Sequence, residues 1–162
     1  MGKEKSETIP IVINYRIIHK GKIDIYTLFR DLPKWFGSFS YDFWETGLSQ
    51  KDTGIGEEYM SDWKAVRDVN DYIQYEIALK VFIKDITKTK VKGKEVFVAQ
   101  TEIYLNSKMK KNYRKSFGPD KFQQFLRQIY ERYIRYHDLL EYEDKLVGEC
   151  VDLINLLKAN LK

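Results

Sequence analysis

The residues that could do acid–base or nucleophilic chemistry are few and scattered along the chain. There are two histidines, His19 and His137, and one cysteine, Cys150. Neither histidine has a partner at a spacing typical of catalysis or metal binding, so each is interpreted as a satisfied or surface histidine. Cys150 lies on the apolar side of a predicted helix, where an inert buried thiol is the usual state. We therefore assign no catalytic residue, no metal ligand and no cofactor, and the sequence favours a protein that is not an enzyme.

Carboxylates cluster in two places. Glu57 and Glu58 begin a predicted strand, with Asp62 close behind. A helix would place Glu141 and Asp144 on one side, where two carboxylates can hold a cation. Acidic residues in the first turn of a helix also offset its dipole and face water. Because that second role is the common one, the sequence predicts no metal site here.

Positive charge is better organised than negative charge. A basic connector follows the predicted strands, and its Lys and Arg residues are interleaved with Tyr113 and Phe117. Basic side chains beside exposed rings suit a phosphate backbone with stacked bases, or an anionic lipid surface. Lysines in a solvated loop are also common without any partner. The candidate anion-binding residues are Lys108, Lys110, Lys111, Arg114, Lys115 and Lys121.

Composition is typical of an ordered globular protein. The chain has 162 residues, of which 43% are hydrophobic and 32% charged. Its net charge of +4 is below the basic footprint of a dedicated DNA-binding domain. We predict a single domain over residues 1–162, with a flexible tail at residues 1–8. A lone cysteine excludes an internal disulfide and indicates a reducing compartment. With neither a signal peptide nor an apolar run long enough to span a bilayer, the expected location is the cytoplasm.

Alternation of apolar and polar residues predicts about five strands. The clearest pattern is an antiparallel hairpin, in which Ile73 to Ile83 alternate without interruption and Lys92-Gly93-Lys94 forms the turn. The predicted strands span residues 9–19, 39–48, 58–69, 72–91 and 97–105.

Helical periodicity occurs in two further segments. Asp24 is a good N-cap for a short helix, and Pro33 fits the first turn of a second short helix. From Pro119 onward, apolar residues recur every three or four positions, which predicts a long C-terminal helix. The register falters between His137 and Glu141, so this helix is either kinked or in two parts. The fold class is therefore α+β: a curved antiparallel sheet packed on the C-terminal helix, with two short helices after the first strand.

This order of elements resembles the helix-grip arrangement of the START and Bet v1-like superfamily. The resemblance rests on residues 11–17, residues 25–36, the hairpin over residues 72–105, and residues 122–161. In that superfamily a curved sheet closes around the last helix and leaves an apolar cavity for lipids, hormones or polyketides, and a few members are cyclases or hydrolases. This chain has fewer predicted strands than the superfamily. Residues 21–36 also resemble uncharacterised proteins of small archaea, a similarity that names no activity.

Three functions remain open from the sequence. The leading one is a non-catalytic binding module that holds an apolar small molecule between the sheet and the C-terminal helix. The second is an adaptor that binds nucleic acid or an acidic protein through the basic connector, with salt-dependent affinity. The third is a cyclase-like enzyme that uses His137 or a carboxylate. The candidate pocket residues are Tyr75, Ile77, Leu79, Phe97, Ile103, Phe125, Ile129 and Tyr133.

Overall fold

The chain folds into one antiparallel sheet and three helices over the residues that the structure describes. The structure is a computed structural model, and it describes residues 7–52, 54, 56–70, 72–111, 121–129 and 136–161. The α+β class and a sheet of five strands are confirmed. The elements are β1 (Glu7–Ile23), α1 (Ile25–Ser38), β2 (Asp42–Asp52), β3 (Glu57–Asp68), β4 (Ile73–Val91), β5 (Lys94–Lys111), α2 (Lys121–Ile129) and α3 (Tyr136–Asn160).

The sheet has the strand order β1-β5-β4-β3-β2, and every neighbouring pair is antiparallel. Strands β2 to β5 form a meander, and β1 lies beside β5, so the first and last strands of the sequence are neighbours. The sheet is not closed, because β1 and β2 are its two edges. Irregular pairing in β1, β2, β3 and β4 adds local bends, which is how β-bulges curve a sheet.

In the central hairpin, the odd-numbered and the even-numbered residues of β5 lie on opposite faces of the sheet. In β5 the odd-numbered residues from Ala99 to Met109 are buried, whereas the even-numbered residues are less buried. We call the buried side the inner face and the opposite side the outer face. The predicted turn is confirmed, since Lys92 and Gly93 both have positive φ, 52° and 80°, the requirement of a two-residue hairpin turn.

Helix α1 covers part of the inner face. The Asp24 side chain caps the helix by accepting a hydrogen bond from the Thr27 backbone N–H at 3.0 Å, as the sequence predicted. The structure joins the two predicted short helices into one, with Pro33 inside it. A proline removes one backbone hydrogen bond from a helix. The buried residues Leu32 and Trp35 on either side of Pro33 supply packing that keeps the helix continuous.

Helix α3 covers the rest of the inner face. It is continuous across His137 to Glu141, where the sequence predicted a joint. The residues between α2 and α3, 130–135, lie outside the described residues. The apolar stripe of α3 is buried against the sheet, as predicted. The indole Nε1 of Trp35 in α1 also donates a hydrogen bond to Asp152 Oδ2 of α3 at 2.7 Å. The buried members of the stripe are Leu146, Cys150, Leu153, Ile154, Leu157 and Leu161.

Two residues of the predicted N-terminal tail lie in the sheet. Glu7 and Thr8, predicted as the end of a flexible tail, pair with Lys111 and Lys110 in the sheet, and residues 1–6 lie outside the described residues. In the part of the chain that the structure describes, no helix combines the length and the apolar composition needed to cross a membrane.

Candidate binding site on the outer face

Neither α1 nor α3 lies on the outer face, because the contacts of both helices are with inner-face residues. The Phe29 ring of α1 packs on Tyr59 at a centroid distance of 5.2 Å, and Glu149 of α3 is paired with Arg67. Both Tyr59 and Arg67 share the inner face with Tyr75 through the pairing of β3 and β4. Outer-face side chains of β2 to β5 are therefore left without either helix above them.

A buried carboxylate on the outer face is surrounded by lysines. We call this group the lysine cluster: Glu76, Lys64, Lys108 and Lys110. Glu76 Oε1 lies 2.6 Å from Lys64 Nζ, and Glu76 Oε2 lies 2.8 Å from Lys108 Nζ and 3.9 Å from Lys110 Nζ. The Glu76 side chain is only 5% exposed, whereas the three lysine side chains are 31–44% exposed. One negative charge cannot neutralise three positive ones, so the cluster has excess positive charge directed at solvent.

Sheet register explains why these four residues meet. Glu76 pairs directly with Lys108 across β4 and β5. Lys110 pairs with Gln74 and Lys64 with Ala78, the outer-face residues on either side of Glu76 along β4. Diagonal neighbours on one face of a sheet are about 7–8 Å apart, within reach of a long lysine side chain. The cluster is therefore fixed by three adjacent strands.

The lysines of the cluster affect one another. Partial burial lowers the pKa of Lys108, and repulsion from Lys110 and Lys64 lowers it further. Like charges close together disfavour their own protonated forms. An anion that arrives at the cluster relieves this repulsion, which makes the arrangement suited to binding a second negative charge.

A shallow depression of about 510 Å³ adjoins the lysine cluster. Apolar side chains supply part of its wall, including Pro10 and Ile13 from β1 and Ala78 from β4. Asn106 and Ser107 of β5 also line it, together with Lys64, Glu76 and Lys108. Its size falls within the range of small-molecule sites, and its chemistry fits an anionic group attached to an apolar or aromatic body.

Three aromatic rings on the outer face each have a basic side chain near their face. Lys64 Nζ lies 6.0 Å from the Trp44 ring centroid, and Lys84 Nζ lies 4.6 Å from that of Phe82. Arg16 Cζ lies 5.8 Å from the Tyr104 ring centroid. Trp44 is 45% exposed, and Phe82 and Tyr104 are half-buried. Rings paired with cations on an open sheet provide stacking surfaces beside positive charge.

One of these pairs is held in place by a carboxylate. Glu102 accepts hydrogen bonds from Tyr104 Oη and from Arg16 Nη2, both at 2.9 Å. The hydrogen bond from Tyr104, with that from Arg16, lowers the pKa of Glu102. The Tyr104 ring and the Arg16 guanidinium are therefore positioned together on β5 and β1.

The predicted anion-binding residues divide between different places. Lys108 and Lys110 lie in the lysine cluster, whereas Lys111 lies on the other face and pairs with Glu7 at 3.3 Å. Lys121 is the first residue of α2. Arg114 and Lys115 lie outside the described residues.

The predicted pocket residues are also divided. Those buried in the sheet core are Tyr75, Ile77, Leu79 and Ile103. Phe97 is half-buried at the end of β5. On α2, Phe125 is exposed and Ile129 half-buried. Tyr133 lies outside the described residues.

Two small cavities lie beside Phe97, where α1 begins. They measure about 350 and 240 Å³ and are both lined by Tyr26, Lys88 and Phe97. We call them the mouth cavities, since they lie at the end of the inner face near the hairpin turn. Tyr59 and Ile86 line the smaller one. Phe97 is a predicted pocket residue, but the residues that line these cavities come from the strands and the start of α1, not from α3.

Buried polar groups under α3 are engaged with one another. Arg67 makes a bidentate ion pair with Glu149, donates to the Phe39 carbonyl oxygen at 2.8 Å, and lies over the Tyr41 and Tyr75 rings. Burial raises the pKa of both tyrosines, so neither is an acid–base group near neutral pH. Glu149 is occupied by Arg67 and cannot serve as a free base in this state.

Catalytic and metal chemistry find little support among the described side chains. Burial raises the pKa of the Cys150 thiol, which disfavours the reactive thiolate. His19 Nε2 is hydrogen-bonded to the Lys22 carbonyl oxygen at 2.8 Å. The His137 side chain lies outside the described residues. Within the described part of the chain, no three His, Cys, Asp or Glu side chains are grouped to hold a metal ion.

The fold and site together define a class: an open, twisted antiparallel sheet with helices on one face and a basic, ring-bearing surface on the other. Comparison with protein-family models, with curated proteins and with solved structures found no match. The function is therefore argued from the geometry of the outer face.

Proposed function

We propose that the protein is a non-catalytic binding module whose outer face binds single-stranded nucleic acid. The observation that supports this most is the presence of an uncompensated lysine cluster and three ring–cation pairs on one face of the sheet. Phosphates would replace water at the lysines, and bases would stack on Trp44, Phe82 and Tyr104. Proteins that bind single strands combine these two elements, a basic surface and stacking rings.

An acidic protein partner fits the lysines but not the rings. Rings that lie beside cations are of use to a partner that carries both π-faces and negative charges, and a nucleic acid strand has the two in alternation. The outer face is an open, bent sheet surface with a shallow depression beside the lysine cluster, and unpaired bases can reach its rings without the other strand of a duplex. We therefore expect single strands to bind in preference to duplexes.

The test is binding of a fluorescent oligothymidylate, measured by anisotropy over a range of salt concentrations. Lys80 lies on the outer face, where it pairs with Tyr104 across β4 and β5. In the variant Lys80→Gln/Lys84→Gln/Lys110→Gln, the two short ion pairs of Glu76 remain, so the fold is retained. We expect its salt dependence, the slope of log affinity against log salt, to fall by about 2, since each contact to a single strand adds about 0.7.

The matched control neutralises three exposed lysines elsewhere, Lys34, Lys90 and Lys145, and gives the same net charge. The control should bind like the wild type. Equal losses in both variants would mean that net charge alone attracts the strand, which would contradict a site on the outer face. A third variant, Tyr104→Leu, keeps the apolar bulk and removes the stacking surface, and should weaken binding about fivefold or more.

The second candidate function is carriage of an apolar small molecule at the mouth cavities. It is supported by the half-buried apolar residues Ile25, Tyr59, Ile86 and Phe97 around them. Native mass spectrometry of the purified protein would detect a bound molecule, and Phe97→Gln should release it. A ligand-free spectrum, with no thermal shift on addition of long-chain fatty acids, would remove this candidate.

The helix-grip relationship stays a proposal at the level of architecture. It is supported by the packing of α3 along the inner face, where Tyr75 Oη donates to the Tyr142 carbonyl oxygen at 2.6 Å. The cyclase-like alternative has no supporting observation among the described side chains.

A further inference from the structure

The depression beside the lysine cluster forms where β1 departs from regular pairing with β5. The register of the two strands shifts twice within residues 10–15, and two side chains of β5 take up hydrogen bonds in this stretch. Ser107 Oγ accepts from the Val12 backbone N–H at 3.2 Å, and Asn106 Oδ1 accepts from the Asn14 backbone N–H at 2.8 Å. The wall of the depression is therefore held in place, and Asn106 Nδ2 is the amide atom that can donate to a ligand.

The wall of the depression has charged and apolar parts. Lys64 and Lys108 belong to the lysine cluster. Pro10, Ile13 and Ala78 are apolar, and the last two are exposed. A ligand that satisfies both parts has an anionic group for the lysines and an apolar or aromatic body for the rest of the wall. A nucleotide has this combination in its phosphate and its base.

The charge of the lysine cluster matches a phosphate monoester better than a phosphodiester. Three protonated lysines around one carboxylate leave a net positive charge of two. A phosphate monoester carries about 1.5 to 2 negative charges at neutral pH, whereas each phosphodiester inside a strand carries one. In a linear strand, monoesters occur only at the ends. The cluster is therefore better suited to the end of a strand than to its interior.

The position of the depression also suits a strand end. Strand β1 is an edge of the sheet, so the depression lies toward one border of the outer face. Lys64 contacts Glu76 in the cluster and lies 6.0 Å from the Trp44 ring centroid, and Trp44 belongs to β2, the opposite edge. A strand that begins in the depression can run across the sheet toward that ring.

We propose that the depression holds the terminal nucleotide of the bound strand, a role that rests on the proposed function of the outer face. The terminal phosphate monoester lies at Lys64 and Lys108, and the sugar and base lie against Ile13 and Ala78. A free nucleotide has the same chemistry as a strand end. The strand end is the ligand here because the rings of the outer face bind the bases that follow it.

The experiment is competition between unlabelled oligothymidylates of equal length and the fluorescent strand, measured by anisotropy. The competitors end in a 5′-phosphate, in a 3′-phosphate or in hydroxyls at both ends, and thymidine monophosphate is a fourth competitor. At least one phosphorylated strand should bind about fivefold more tightly than the hydroxyl-ended strand, which is the effect of one further charge pair at about 4 Å in water. Thymidine monophosphate should compete weakly, because it reaches none of the rings.

The variant Ala78→Leu fills the depression and keeps every member of the lysine cluster. Because Ala78 is exposed, thermal unfolding should not change. The phosphorylated strand should lose its advantage in this variant, whereas the hydroxyl-ended strand should bind about as tightly as before. The matched control is Thr87→Leu, which adds apolar bulk at an exposed position of the same strand, about 30 Å away. This control should keep the advantage of the phosphorylated strand.

A second variant, Lys110→Gln, tests the charge and leaves the wall of the depression intact. Lys110 is the lysine most distant from Glu76, at 3.9 Å, and its removal lowers the net charge of the cluster by one. The advantage of the phosphorylated strand should fall by about fivefold. Lys90→Gln changes an exposed lysine near the hairpin turn, gives the same net charge of the protein and should keep the advantage.

Failure of the terminal site can be distinguished from failure of the proposed function. Equal affinity of the three oligothymidylates would overturn the terminal site and leave the outer-face function in place. A phosphate advantage that persists in Ala78→Leu would place the strand end elsewhere. Binding of thymidine monophosphate without binding of any strand would make a free nucleotide the ligand and remove the proposed function. Absence of all binding would remove both.

Discussion

At the scale of single residues, the protonation of Lys108 is coupled to binding at the lysine cluster. Lys108 contacts Glu76 at 2.8 Å and shares that carboxylate with Lys64. Its pKa is lower than the ordinary value of 10.5, because of burial first and of repulsion from Lys110 and Lys64 second. The protonated form is the one that attracts phosphate. Binding and protonation of Lys108 therefore favour each other.

Binding should consequently weaken with rising pH earlier than it would for an ordinary lysine. A depressed pKa means that the charge is lost as pH rises through a value below 10.5, and a bound phosphate is then held by one positive charge fewer. We expect oligothymidylate affinity to decline as the pH rises toward the ordinary lysine value of 10.5, rather than above it. Anisotropy titrations across this range measure it.

Lys108→Arg provides the control, because arginine keeps its charge throughout that range. The decline should become shallower in this variant. If the wild type and Lys108→Arg lose affinity in parallel, the titrating group is elsewhere and the role given to Lys108 is wrong.

At the level of elements, the attachment of α3 to the sheet depends on the Arg67–Glu149 ion pair. The side chains are 13% and 5% exposed, and Tyr41 Oη donates to Glu149 Oε2 at 3.2 Å. Such a pair is costly to break from one side, because the remaining charge stays buried without its partner.

Glu149→Leu and Arg67→Met should each destabilise the protein by about 3–5 kcal/mol. The double variant should recover much of this loss, since an apolar pair of similar volume leaves no buried charge. Urea unfolding of the wild type and the three variants gives the coupling energy. Additive losses, with no recovery in the double variant, would contradict the assignment of this pair as the anchor of α3.

The sequence predicted the sheet better than the site. Alternation over residues 72–105 identifies the hairpin and its buried face, because every second residue is apolar. The two strands of the hairpin also differ in length by one residue between the turn and the body of the hairpin. Next to the turn, the odd-numbered residue Val91 pairs with the even-numbered residue Lys94. In the body of the hairpin, odd-numbered residues pair with odd-numbered ones, as Ile83 does with Thr101. One extra residue must therefore be present, and it lies between Lys84 and Thr87, next to Asp85, whose φ is 53°.

The lysine cluster could be predicted only in part. The single-sign charge of the connector indicates Lys108 and Lys110, but it does not separate them from Lys111, which lies on the other face. Lys64 and Glu76 come from other strands, and only the register brings them to Lys108. The rings Trp44, Phe82 and Tyr104 were missed, because their alternation with polar residues is typical of any sheet.

Taken as a whole, the molecule uses the two faces of one sheet differently. Helices α1 and α3 pack on the inner face and bury the apolar residues of the strands. The outer face keeps basic and aromatic side chains accessible, and α2 exposes a third surface. A sheet with helices on one face has a free side for a partner, and here that side has the lysine cluster. Partner binding and stability should therefore depend on different sets of residues.

Photo-crosslinking tests this central claim most directly. An oligodeoxynucleotide containing bromodeoxyuridine would be irradiated with the full chain, and the modified peptides identified by mass spectrometry. We predict crosslinks at Trp44, Phe82 or Tyr104, with far fewer when a duplex replaces the single strand. Crosslinks confined to α1 or α3, or none at a concentration where anisotropy reports binding, would contradict an outer-face nucleic acid site.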